Sequence, residues 1–195
     1  MKPHLLIALM LGTPALAECP TAADLSGGVR VTEDDGTTNT FTLIGDGVVQ
    51  NDGLAPDGYA YRNLLAKGTH LIGLSDTQNG QDIPDTVRRM QYPVAASDLP
   101  VPTPSSRASY DTTVSANGGS YPEEQVQAWG TMTTLTIGEC TYDMIPGKVV
   151  YTNDSYVVNE GLHYLPALEL ALLYSYQIEG DPADIYTPVR IEALQ

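Results

Sequence analysis

The sequence predicts an all-β protein: an antiparallel sheet of barrel-like or half-barrel form, with two sheet lobes in one domain. Three observations carry this expectation. Apolar and polar residues alternate along most of the chain, the period of a half-buried strand. Turn-forming pairs punctuate the alternation, namely Asp35-Gly36, Asp46-Gly47, Asp52-Gly53, Asp57-Gly58, Asn79-Gly80 and Asn117-Gly118. Asn-Gly and Asp-Gly supply the positive φ values of tight hairpin turns. Third, the segment 168–179 is rich in helix formers, yet Leu168, Leu170, Leu172, Tyr174, Tyr176 and Ile178 recur at every second position. A period of two overrides helix propensity there, so the segment is read as a strand.

Taken in chain order, residues 1–17 read as a secretory leader. Met1-Lys2-Pro3-His4 is a short basic start, residues 5–11 are apolar, and Ala15-Leu16-Ala17 has the small-x-small form of a cleavage site. Cleavage after Ala17 starts the mature chain at Glu18 and places it in the periplasm or outside the cell. The apolar run is too short to span a bilayer, and the longest later one, 165–173, is interrupted by Glu169. No stable membrane insertion is expected. Glu18, rather than a small residue, precedes Cys19, which argues against a lipid anchor on that cysteine.

Strands are expected at 28–33, 38–44, 47–50, 59–63, 69–74, 86–94, 126–137, 141–151 and 155–158. At the end of the chain, 168–179 and 185–193 are expected to form a hairpin across Gly180-Asp181-Pro182, with Pro188 suited to an edge position. Segment 97–106 carries prolines at 100, 102 and 104 and is read as an extended connector. It separates lobes 18–96 and 107–195.

The two cysteines, Cys19 and Cys140, form an even pair with no competing thiol, and in an oxidising compartment they make one disulfide. There is no CxxC motif to suggest redox work. Nine Lys and Arg stand against 24 Asp and Glu, a net charge of −15, and removal of Lys2 with the leader makes it one unit more negative. Such a surface repels nucleic acid and anionic lipid and favours cationic partners.

The C-terminal third also carries a resemblance. Ile137-Gly138-Glu139-Cys140-Thr141-Tyr142, a strand to Tyr151, then Glu160-Gly161-Leu162-His163-Tyr164-Leu165-Pro166 and a long last strand resemble uncharacterised periplasmic all-β proteins of alphaproteobacteria. They are also distantly similar to envelope families in which a Tyr-x-Pro corner leads into the closing strands of a bent sheet. The resemblance implies an exported, barrel-like or half-barrel fold and implies no catalytic residue. The glycine usual after the corner proline is replaced by Ala167-Leu168-Glu169.

Candidate chemistry is sparse. Only His70 and His163 remain after the leader, without the spacing of a zinc site, and no Gly-x-Ser-x-Gly elbow accompanies them. Asp76, Asn79 and Asp82 form an oxygen-rich turn, a weak calcium candidate that lacks the twelve-residue loop pattern. Glu160, Glu169, Glu179 and Asp143 are the carboxylates weighed for acid–base hydrolysis. Twelve tyrosines against one Phe and one Trp suit half-buried sheet faces, or the mouth of an amphipathic site. The function is not specified by any motif, and three readings follow. The first is a non-enzymatic periplasmic protein that holds a small apolar or amphipathic ligand, or an envelope component, in a concave sheet lined by Leu168, Leu170, Leu172, Tyr174 and Tyr176. The second is an acidic module for a basic protein partner. The third is a carboxylate-based hydrolase. No cofactor is expected for any of them.

Overall fold

Fifteen strands, all paired antiparallel, make one sheet in the computed structural model, which describes residues 18–194. The expected leader, residues 1–17, lies outside the described residues. The strands are β1 (Val29–Glu33), β2 (Thr38–Gly45), β3 (Val48–Leu54), β4 (Ala60–Ala66), β5 (His70–Gln78), β6 (Gln81–Asp82), β7 (Arg88–Gln91) and β8 (Arg107–Ala116). They continue with β9 (Gly119–Trp129), β10 (Thr133–Ile137), β11 (Cys140–Thr152), β12 (Val157–Leu165), β13 (Leu170–Ile178), β14 (Asp184–Ile185) and β15 (Pro188–Ala193). The order across the sheet is β14-β13-β12-β11-β9-β8-β7-β5-β4-β3-β2-β1-β15, with β10 beside β11 and β6 beside β5. Among the described residues the only helical pieces are four short 3-10 segments. The two lobes on either side of the proline connector are thus one sheet, joined where β7 pairs with β5 on one side and β8 on the other.

Five of the six turn pairs read from the sequence lie between strands, but Asp52-Gly53 lies within β3, paired on both sides, and does not turn. Asp46-Gly47, Asn79-Gly80 and Asn117-Gly118 each put both residues at positive φ, the backbone of a type I′ turn. The sheet does not close into a barrel, but it bends until distant strands meet. The turn between β4 and β5 docks on the start of β13, where Gly68 O accepts from the Ala171 N–H at 2.9 Å. A Cβ on Gly68 would stand 2.1 Å from Glu169 O, so only glycine permits this approach. The last segment lies along both ends of the sheet. β14 pairs with β13, Tyr186 donates its N–H to Tyr174 O, Thr187 O accepts from the Asp34 N–H, and β15 pairs with β1.

This arrangement corrects the expected C-terminal hairpin. Only Ser175–Ile185 and Tyr176–Asp184 pair across it, after which the chain crosses to β1. β15 has one partner, so Pro188 does lie on an edge strand. The long strand 168–179 also differs from expectation. Pro166–Leu168 form a 3-10 turn, Glu169 adopts φ +50, and β13 begins at Leu170. A bulge then leaves Tyr174 as an extra residue between the pairs Leu162–Leu173 and Gly161–Ser175. The bulge breaks the alternation, so the residues before and after it do not share one face.

Three further boundaries move. Segment 126–137 is two strands broken at Gly130, whose N–H donates to Pro146 O at 2.7 Å. β12 runs on to Leu165, and β8 is a ten-residue strand in a stretch where none was expected. Cys19 and Cys140 form the disulfide, with Cα atoms 5.6 Å apart. Beside it lies the main apolar core, including Leu25, Val29, Phe41, Ile137, Leu165 and Leu168. Tyr142 donates to Pro20 O at 3.1 Å and pins the N-terminal segment there. No helix among the described residues is long and apolar enough to cross a membrane.

Candidate functional site

Strand periodicity carries polar residues into the interior in two places. On β1, β2 and β3 the positions facing the core continue Val31, Phe41 and Val49 by two residues to Glu33, Asn39 and Asn51. These three are 8%, 7% and 7% exposed. Glu33 stands where β1 turns at the predicted Asp35-Gly36 pair. Its backbone N–H donates to Thr37 O and its carbonyl accepts from the Gly36 N–H. Asn51 donates through Nδ2 to Asn39 Oδ1 at 3.1 Å, and Asn39 in turn donates through Nδ2 to Glu33 Oε1 at 3.0 Å. Tyr61, whose ring covers the bare backbone of Gly53 on the adjacent strand, donates to the same Asn39 oxygen at 2.8 Å.

Each donor atom of this network has a partner, and two oxygen atoms have none. Glu33 Oε2 and Asn51 Oδ1 are buried without any partner. Among the described residues only one other buried side-chain polar atom, His163 Nδ1, is in that state. Unpaired buried polar atoms are uncommon because each forfeits its hydration without return.

The network forms one wall of a partly open cavity of about 540 Å³. β11, β12 and β13 form the facing wall, with Tyr151, Glu160, Leu162, Leu173 and Tyr176. Glu160 is positioned by its register opposite Val149 and Tyr176, and Tyr151 reaches across to donate to Glu160 Oε2 at 2.8 Å. Asp184, Tyr186 and Pro188 line it from the crossing segment. Apolar surface from Val31, Phe41, Leu65, Leu71 and Leu172 completes the lining. The volume lies within the range of small-molecule sites, and the mixture of apolar wall and few polar groups is typical of them.

Burial governs the electrostatics. Glu33 is pushed up to about 7, first by desolvation and then by the charges of Asp35 and Asp34, against the lowering effect of the Asn39 hydrogen bond. Glu160 is also pushed up to about 7, by burial and to a lesser degree by the Glu123 charge, while the Tyr151 hydrogen bond opposes the shift. Tyr61 is raised to about 12, chiefly by burial and next by Glu33. Tyr186 is raised by burial and feels Asp184, Glu33, Tyr176 and Glu160, so it links the two walls.

The second polar interior is on β9, where Glu123, Gln125 and Gln127 alternate inward. Gln125 donates to Glu123 Oε1 at 3.0 Å, Tyr156 donates to Glu123 Oε2 at 2.5 Å, and Tyr92 donates to Gln125 Oε1. Gln127 donates to His70 Nδ1 at 3.0 Å, which leaves Nε2 as the protonated nitrogen that bonds Pro100 O at 2.8 Å. His70, 1% exposed, therefore straps the proline connector to the sheet as a neutral imidazole, and burial lowers its pKa.

Of the residues singled out from the sequence, Leu172 and Tyr176 line the cavity. Leu168 and Leu170 are packed in the apolar core, and Tyr174, displaced by the bulge, stacks on His163 at 4.3 Å. Glu160 lies at the cavity, whereas Glu169, Glu179 and Asp143 are exposed. The calcium candidates are separately engaged. Asp82 pairs with Arg62 at 2.9 Å, Asp76 accepts from Tyr59 at 2.7 Å, and Asn79 is the first residue of a hairpin turn. No cluster of three or more His, Cys, Asp or Glu suited to a metal occurs among the described residues. The sequence does not mark Glu33 or Asn39 as site residues, and it marks Asn51 only within the oxygen-rich Asn51-Asp52-Gly53 stretch and Tyr61 and Tyr151 only among the strand tyrosines. The signal that could have found the first three is their place two residues from a core residue on the same strand. Comparison with protein-family models, curated proteins and solved structures found no match.

Proposed function

We propose that this is a non-enzymatic, exported binding protein that holds a small amphipathic ligand inside its bent sheet. The observation that carries the reading is the cavity of about 540 Å³ walled on one side by the Glu33–Asn39–Asn51 network, two of whose buried oxygens lack a donor. A polar row whose groups are all satisfied serves structure alone. A row that leaves buried acceptors unpaired in the wall of a cavity of mixed polar and apolar lining suits a ligand that supplies donors at one end and apolar body at the other. The Cys19–Cys140 disulfide accords with an oxidising compartment, and the periplasm is the compartment we assign.

Native and denaturing mass spectrometry of the protein recovered from its own periplasm tests this reading. We expect a start at Glu18, loss of two hydrogens for the disulfide, and an added small organic mass in the native spectrum alone. A bare native spectrum, together with no amide shift changes at Asn39, Asn51 or Tyr151 on titration with small amphiphiles, overturns it.

A second reading, hydrolysis by paired carboxyls, is favoured by one observation: Glu33 and Glu160 line the same cavity and both stand near 7. Groups poised there suit general acid and base roles. Turnover of ester or glycoside substrates that Glu33→Gln and Glu160→Gln each abolish would replace the binding reading with this one.

A further inference from the structure

Resting on the binding reading, we infer that the cavity selects an organic cation: an ammonium head on an apolar body, held with its head between Glu33 and Glu160. Three features of the lining point to this chemistry. First, the atoms left without any partner in the Glu33–Asn39–Asn51 network are both oxygens, and both are acceptors once Glu33 is ionised, so the missing partner is a donor. A carboxyl ligand or a phosphate would bring further acceptors and leave both oxygens unpaired. Second, the lining contains five carboxyl groups, Glu33, Asp35, Asp76, Glu160 and Asp184, and no lysine, arginine or histidine. Arg88 acts on Tyr176 but is not part of the lining. Asp76 and Asp35 are partly neutralised as acceptors, from Tyr59 and from Thr37 respectively, and belong to the outer part of the site. Glu33 and Glu160 stand on opposite walls, and burial acts on both carboxyls. Third, Tyr59, Tyr61, Tyr151, Tyr176 and Tyr186 line the same space, and tyrosine rings attract a desolvated ammonium through their π faces.

The electrostatics agree with the geometry. Glu33 faces Asp34 and Asp35 on its own turn, Asn39 on β2, Tyr61 on β4 and Tyr186 on the crossing segment, and none of these supplies positive charge. Glu160 faces Glu123 on β9, Tyr151 on β11, Tyr176 on β13 and Tyr186, again without a cation. Both carboxyls are held toward the protonated state first by burial and then by neighbouring like charge. An ammonium between them supplies a counter-charge and the hydrogen-bond donors together.

The test is a matched titration with phenethyl and octyl compounds, each offered as the amine, the alcohol and the carboxylic acid. Binding is followed by amide chemical shifts and by calorimetry at pH 8. We expect the amines to bind about tenfold or more tightly than the alcohols, the increment of a charge-assisted hydrogen bond, with the acids weakest. Glu33→Gln should bring amine and alcohol affinities close together while the alcohols still bind, and Glu160→Gln should do so in part. Glu139→Gln, an exposed carboxylate away from the cavity, should keep the full preference. Thermal melts and amide spectra establish that each variant is folded. If Glu33→Gln does not fold, the amine-to-alcohol ratio of the unaltered protein together with Glu160→Gln decides the matter. Alcohols binding as tightly as amines overturns the cation inference and leaves the binding reading standing. If no compound binds with shifts at Asn51, Tyr151 or Tyr176, both fall.

Discussion

The β1–β3 row and the β9 row are the same device with different endings. Each places three polar side chains at alternate, inward-facing positions where a sheet core would ordinarily be apolar. On β9 no buried side-chain atom is left without a partner: Glu123 accepts from Gln125 and Tyr156, Gln125 accepts from Tyr92, and Gln127 donates to His70. On β1–β3 the chain of donors runs from Asn51 to Asn39 to Glu33 and stops, leaving Glu33 Oε2 and Asn51 Oδ1 without partners. The β9 row is surrounded by side chains, and the β1–β3 row borders the cavity. The difference teaches that burial of polar groups alone does not mark a site. Incomplete pairing beside empty space does.

The largest effect that separates the rows is on the closed one. Gln125→Leu removes the acceptor of Tyr92 and a donor to Glu123 at once, in a position that is 0% exposed. With two buried groups orphaned, we expect a loss of about 3 kcal/mol in urea unfolding with the disulfide intact. A change below about 1 kcal/mol would show that the β9 row is loosely held, and would remove the contrast.

Glu33→Gln acts in the opposite direction. Above pH 7 the wild type holds a desolvated carboxylate among Asp34 and Asp35, and the amide relieves that repulsion. We expect a gain of about 1–3 kcal/mol at pH 8, bounded by the free energy that the raised pKa represents. The gain should vanish below pH 4.5, where the carboxyl is protonated in both folded and unfolded chains. A loss of stability at pH 8 would mean that an unseen donor already satisfies Glu33.

A smaller effect sits on the facing wall. Tyr151→Phe removes the hydrogen bond that counteracts the burial of Glu160. The Glu160 carboxyl should titrate still higher, as read by its 13C shift, with a stability cost of about 1 kcal/mol. An unchanged titration would detach Tyr151 from the electrostatics of the cavity.

Much of the fold was legible because it follows from local chemistry. Asp46-Gly47, Asn79-Gly80 and Asn117-Gly118 turn where their backbone freedom predicts, and the cysteine pair had only one disulfide available. β8 does alternate, with Ala108, Tyr110, Thr112, Val114 and Ala116 inward against Ser109, Asp111, Thr113 and Ser115, but its small and polar residues make that stripe faint in the sequence. The cavity was half legible. Leu172 and Tyr176 were read as lining from alternation, but the bulge at Tyr174 depends on pairing with Gly161, which no single strand reveals. Glu33, Asn39 and Asn51 sit near Asp-Gly turns and read as solvated polar residues. Only the register of three strands brings them together.

The contrast between the rows also has a specific pH signature. Glu33 and Glu160 are raised, so between about pH 4.5 and 7 the folded protein holds protons that the unfolded chain has released, and stability falls as pH rises. His70, lowered by burial, and His163 behave inversely. Below the unfolded value of 6.5 the unfolded chain takes protons that the folded protein refuses, so stability falls as pH drops. The two slopes oppose each other through the overlapping window, and the wild-type curve should be shallow there. The double variant Glu33→Gln, Glu160→Gln removes the falling limb, so its stability should rise steadily with pH up to about 6.5. Over the same range the His70 ring nitrogens should keep the shifts of a neutral imidazole protonated at Nε2, since Gln127 donates to Nδ1 and Pro100 O accepts from Nε2. A double variant with the wild-type slope would place the carboxyl protonation outside this cavity. A His70 ring that titrates near 6.5 would mean that the β9 row opens to water, so that both polar interiors, and not only the one at the cavity, admit it.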